Sequence, residues 1–168
     1  MAILTQPLRE EHQELLPQIE QLRAVADMVG DVPIAELRPH IDTAYRFLTE
    51  HLIPHAYAED QALYPVVARL MGAPQATATM SRDHVAVGQL TQELADLRAA
   101  ISGATASDAQ LRALRRVLYG LYTLVSVHFA KEEEIYLPIL DQHLTPGDAE
   151  RMFAAMETAA HAARQQGL

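Results

Sequence analysis

Apolar positions recur along this chain three and four residues apart, in five long stretches separated by short breaks. In the first, Leu8, Leu15, Leu16, Ile19, Leu22 and Ala26 make one stripe, with Thr5 as cap, Pro7 in the first turn and Gly30 as the stop. This predicts α1 over about 5–29. Asp31 and Pro33 open a longer stretch, α2, which reaches Leu70 with Gly72 beyond it; Ile41, Leu48, Leu52, Leu63 and Val66 share its face. Pro74 is expected to open α3, which ends near Ile101-Ser102-Gly103 and carries Met80, Val87, Leu90, Leu94, Leu97 and Ile101. Ser107-Asp108-Ala109-Gln110 reads as a capping box that starts α4, with Leu111, Leu114, Leu118, Leu121, Val125, Ile135 and Ile139 in register. Thr145-Pro146-Gly147-Asp148 starts α5, about 146–165, whose Met152, Phe153 and Met156 suit a packing role. No run alternates with the period of a half-buried strand. The pattern is that of an all-α protein.

Polar residues break into four of these stripes. His12 sits one turn after Leu8 in α1, and His84 lies at the edge of the α3 stripe. On α2, His55 and Glu59 fall on the apolar face, as His128 and Glu132 do on α4. Each of these two pairs is a His-x3-Glu, followed at once by a second acid (Asp60, Glu133) and by a Pro ten residues after the His. Residues four apart share a helix face, so each pair offers an imidazole and a carboxylate to one point. Prolines inside predicted helices, Pro17, Pro54 and Pro65, call for a kink or a widened turn.

Spacing relates the four sites. His12 and His84 are 72 positions apart, and His55 and His128 are 73 apart. The chain thus reads as two similar helical hairpins, each with one lone His and one His-x3-Glu. Measured from the hairpin turns near Asp31 and Ala104, all four lie roughly 30–36 Å along their helices. In an antiparallel bundle they share one level. Four imidazoles and two carboxylates on apolar faces would then converge, where unpaired charge is costly and metal is the natural remedy.

Composition narrows the chemistry. The formal net charge is −9 and the pI near 5.3, with no Lys/Arg cluster, which argues against a nucleic-acid partner. The absence of Cys removes disulfides, thiolate chemistry and iron–sulfur clusters. No apolar run is long enough to cross a bilayer and Met1–Pro7 lacks a signal-like pattern, so a cytoplasmic protein is expected. A sulfur-free set of His and Glu suits iron, manganese or zinc rather than calcium or magnesium. Six donors exceed one tetrahedral site, and two Glu on facing helices can bridge two ions. Two six-coordinate ions have about twelve positions; with four His, two bridging Glu and one bridging oxygen, about two remain for a small ligand.

The pattern His12…His55-x3-Glu59…His84…His128-x3-Glu132 resembles the hemerythrin HHE cation-binding domain family, over α1 to α4. That resemblance implies an antiparallel up-down-up-down four-helix bundle, here with an additional C-terminal helix. The whole chain, 1–168, is expected to form one such domain, with the four bundle helices at about 5–143. It further implies two iron ions joined by an oxo or hydroxo bridge, with His12, His55, His84 and His128 as terminal ligands and Glu59 and Glu132 as bridges. Oxygen-carrying members have a further His one turn along α3, where this chain has Gly88, and close α4 with His-x4-Asp, where it has His128-x3-Glu132. These departures make it similar to divergent bacterial, including actinobacterial, hemerythrin-like proteins. Expected ligands are peroxide and small diatomics, with catalase-like or peroxidase-like peroxide disproportionation, or O2 or NO handling, as the activity. The rival expectation is a non-catalytic iron- or oxygen-sensing module; a monomer or weak homo-oligomer fits either.

Nearby residues receive lesser roles. His51, one turn before His55, is expected to pack or to support the cluster rather than to ligate. Tyr57, Tyr64, Tyr122 and Tyr136 could reach the centre through their phenols if the proline-adjacent turns are distorted, although by ideal helix phase Tyr57 and Tyr64 point away. Asp60, Glu133 and Glu134 are expected to form a solvated acidic rim, with hydrogen bonds to ligand His open to all three. His40, His143 and His161 belong on the surface.

Overall fold

The computed structural model describes residues 3–101 and 103–167 and contains, among them, five helical rods and no strand. α1 is Gln6–Met28 and runs unbroken through Pro17. α2 spans 34–70, as Ile34–Phe47, Ile53–Ala58 and Tyr64–Leu70 joined by widened π turns at Leu48–Leu52 and Glu59–Leu63. α3 is Ala78–Ala100; α4 is Asp108–Lys131, a π turn at Glu132–Tyr136, and Leu137–His143; α5 is Pro146–Gln166. Helices α1 to α4 close a ring in which α1 packs on α2 and α4, and α3 on α2 and α4. α5 lies outside it, across the 53–63 segment of α2. The all-α four-helix bundle with an added C-terminal helix is therefore present.

Most boundaries follow the expected chemistry. Ser107 and Gln110 form the capping box at α4, and Thr145 accepts from the Asp148 amide at α5. Gly30 and Gly72, with φ of +87° and +62°, adopt the left-handed conformation that ends α1 and α2. Three starts differ. Thr5 precedes α1, but its hydroxyl donates to Asp141 (3.0 Å) instead of capping, which ties the N-terminus to α4. α2 begins at Ile34, with Pro33 as the residue before it. α3 begins at Ala78 rather than Pro74, because residues 73–78 form successive tight turns, Ala76 to Ala73 and Ala78 to Gln75. Its expected stop at Ile101-Ser102-Gly103 includes Ser102, which lies outside the described residues; the helix ends at Ala100.

Each of the three π turns ends two residues before a proline, at Pro54, Pro65 and Pro138. A proline has no N–H for the carbonyl four residues back and its ring crowds that carbonyl; widening the preceding turn accommodates both. Each widened turn also holds one extra residue, which rotates the rest of the helix by roughly 100°. Buried positions therefore shift by one: Val67 is buried instead of Val66, and Tyr136 instead of Ile135, which is 49% exposed. Leu16, at the margin of the α1 stripe, is exposed as well.

The core has two apolar parts. One, towards the hairpin loops, is built from residues such as Ile19, Leu22, Leu48, Leu94, Leu118 and Leu121; the other, towards the N-terminus and α5, holds Leu8, Leu63, Met80, Leu137, Leu140 and Met152. Burial of each such side chain contributes about 1.5–3 kcal/mol, so the two parts clamp whatever lies between them. Between them is a layer of buried polar side chains.

Candidate metal centre

That layer consists of His12, His55, Glu59, His84, His128 and Glu132, with Glu59 and Glu132 wholly buried. All six expected residues are brought together. Nε2 of His55 is 3.0 Å from Glu59 Oε1, and Nε2 of His12 is 3.8 Å from the same oxygen. Nε2 of His84 is 3.3 Å, and Nε2 of His128 3.9 Å, from Glu59 Oε2. Glu132 divides its oxygens likewise: Oε2 is 3.5 Å from His12 Nε2, and Oε1 is 3.5 Å from His128 Nε2. Each carboxylate thus faces the His12/His55 pair with one oxygen and the His84/His128 pair with the other.

The outward nitrogens explain this orientation. Nδ1 of His12 is 2.8 Å from Glu133, that of His55 3.1 Å from Glu11, that of His84 2.9 Å from Asp60, and that of His128 3.2 Å from Asp83. An ionised carboxylate only accepts, so each Nδ1 carries a proton, and a ring that holds no second proton turns a lone pair inward at Nε2. Inside, Nε2 of His12 and His55, both oxygens of Glu59 and Oε2 of Glu132 have no hydrogen-bond partner. Buried polar atoms without partners are expensive, and five aimed at one space fit a cation-binding cluster. Two groups have donor atoms close enough to share an ion: His12, His55, Glu59 and Glu132, and Glu59, His84 and His128. Glu59 belongs to both.

The model of the hemerythrin HHE cation binding domain matches residues 4–140. The chain belongs to the hemerythrin family. No curated protein and no solved structure matches it. As a hemerythrin-family module, it carries its cluster of buried His and Glu, able to hold metal, at the level where its bundle helices converge.

This hemerythrin-like site differs in several respects from the expected one. Tyr64 does not point away. The widened turn Glu59–Leu63 rotates it inward, where its hydroxyl donates to Glu132 Oε1 (2.7 Å) and lies 3.1 and 3.4 Å from Nε2 of His128 and His84. Burial, then the charges of Glu59 and Glu132, push the Tyr64 phenol well above its ordinary value. His51, in contrast, lies in the first widened turn and is exposed, so it neither ligates nor packs. Asp60 and Glu133 are not merely a rim, since each holds a His; Glu134 is exposed, as are His40, His143 and His161. Tyr57 is half-buried.

Glu11 and Asp83 escaped the sequence reading, although a signal was there. Each immediately precedes a lone His, and they are 72 positions apart, like His12 and His84. The rule is the same in both halves: the acid before the lone His holds the paired His of its own hairpin, and the acid after the Glu holds the lone His of the other. Cations then balance some of these acids, Arg9 on Glu133 and Lys131 on Asp83. The repeat fails at two places in the middle. Leu137 stands where it would put a second Tyr64, and Phe129, stacked on His12 with ring centroids 4.2 Å apart, stands opposite Ala56. The two halves are chemically unlike.

Ionisation follows from this crowding. Burial raises the Glu59 carboxyl, but the charge of His55, then the neighbouring His12 and His128 rings, overcome it and hold it well below the usual range. Burial lowers His128, yet Glu132 and Glu59 hold it up to about 10. His55 is likewise raised against burial, by Glu59 and Glu11, and His84 by Asp60 and Glu59. A cavity of ≈ 10 Å³, room for about one water-sized molecule, adjoins His55, Glu59, His84 and His128 beneath Val87 and Phe129. It lies on the loop side of the cluster. Val87, not Gly88, forms its wall on α3.

Proposed function

We propose that the chain is one domain that holds two iron ions between its two His pairs, bridged by Glu59 and Glu132, and reacts there with small oxidants. His12 and His55 would hold one ion, and His84 and His128 the other, with Tyr64 able to add a phenolic oxygen to the second. The observation that carries this is the way each glutamate divides its two oxygens between the pairs. Bound iron supplies one-electron chemistry and positions open to peroxide, O2 or NO. The outer carboxylates fix the ring tautomers and raise ligand basicity. Phe129, Val87 and Val125 keep bulk water from the adjoining cavity, which has room for about one water-sized molecule. Oxygen evolution from hydrogen peroxide by the iron-loaded protein, abolished by Glu132→Ala, is the expected outcome of the test.

A second reading, a non-catalytic sensor of iron or oxygen, is favoured by the five unpartnered buried atoms, because they make the fold depend on metal. It requires that the loaded protein be inert to peroxide and lose helicity on chelation.

A further inference from the structure

A second polar feature lies outside the cluster. A cleft of ≈ 590 Å³ opens between the end of α2 and the start of α3, with Tyr64 and Asp60 at its inner side and Arg69, Thr77 and Ser81 around it. Asp60 is occupied: one oxygen accepts from the Ser81 hydroxyl (2.5 Å) and the other faces His84 Nδ1 (2.9 Å). Arg69 is exposed and has no carboxylate partner among the described residues. Thr77 stands before the first residue of the 23-residue helix α3 and is only 6% exposed, yet its hydroxyl caps nothing and has no hydrogen-bond partner among the described residues. The amides of Ala78, Met80 and Ser81 bond to Gln75 and Thr77 carbonyls, and that of Thr79 finds no such acceptor. A hydroxyl without a protein partner, on a residue only 6% exposed, thus lines a cleft that also holds a free guanidinium and the positive end of a long helix.

We propose that this cleft binds a small phosphate-class oxyanion. Arg69 offers the forked donors that suit a phosphate, Thr77 a hydroxyl, and the α3 N-terminus an unbonded amide and its dipole. The cleft exceeds the volume of inorganic phosphate, so a phosphomonoester also fits. The site does not depend on what the metal cluster does, and its test is a binding measurement.

Isothermal titration of the full iron-loaded chain with inorganic phosphate, at constant ionic strength, is expected to show saturable binding. Arg69→Ala should weaken it about tenfold or more and Thr77→Val about threefold, while Arg46→Ala, an exposed arginine at the far part of α2, should leave it unchanged. Glycerol phosphate in the same titration separates the sources: tighter binding than phosphate identifies a monoester site, and equal binding a site for the free ion. Absence of saturable phosphate binding overturns the proposal. So does binding that Arg69→Ala leaves intact, which would put the phosphate on the metal cluster or on general surface charge.

Discussion

The Tyr64 hydroxyl donates across 2.7 Å to Oε1 of Glu132, joining α2 to α4 inside the buried His/Glu cluster. No equivalent contact exists in the other half, where the repeat has Leu137. Tyr64→Phe is therefore expected to leave the iron content unchanged and to remove any visible phenolate-to-iron absorption. In the metal-free protein, loss of this hydrogen bond to a charged group should lower stability by about 1.5–3 kcal/mol. Loaded wild-type protein without such a band would show that Tyr64 only supports Glu132.

Glu59 faces both His pairs, whereas His12 faces only one. Glu59→Ala should abolish binding of both ions, while His12→Ala should release the ion of the His12/His55 pair first. His51→Ala, at an exposed position one turn from His55, should bind metal as the wild type does. Metal analysis of the three purified variants checks the order, and equal loss in all three would contradict it.

The outer carboxylates are expected to matter almost as much as the donors. Asp83→Asn or Glu11→Gln keeps the shape but replaces an acceptor-only group by one that no longer fixes the Nδ1 proton or polarises the ring. Each should weaken metal affinity about 10–100-fold with the helical content retained. Competition against a chelator of known affinity measures this.

Stability of the metal-free protein should fall with rising pH. His128 is held up to about 10, above its unfolded value of about 6.5. A raised His contributes fully below the unfolded value and loses its contribution as pH climbs through the folded one. His55 acts in the same direction. Melting temperature of chelator-stripped protein should therefore decline from about pH 6.5 to about pH 10, while metal affinity rises over the same interval as the rings give up protons. A flat or rising melting curve for the stripped protein would contradict the charge assignment.

Periodicity and caps locate the five helices, and the two His-x3-Glu frames with His12 and His84 locate the six inward side chains, because an unbroken helix ties spacing to facing. That link fails where the helix is not regular. The three proline-linked π turns each advance the phase by one residue, so Tyr64 turns in, while Ile135 and His51 face out. The need for a kink or widened turn is visible at Pro54 and Pro65; its effect on Tyr64 depends on where the extra residue is inserted, which spacing alone does not reveal. Glu11 and Asp83 are hidden differently. An acid beside a His on a helix looks like a solvated neighbour, and only the crossing of the helices shows that each reaches a His on the adjacent helix.

On the proposed reading, Glu59 and Glu132 join two metal sites. Metal analysis of the protein, purified from an iron-supplied host, decides this. About two irons per chain, falling together to none in Glu59→Ala, is the expected result. One tightly bound ion per chain, or none, would contradict it.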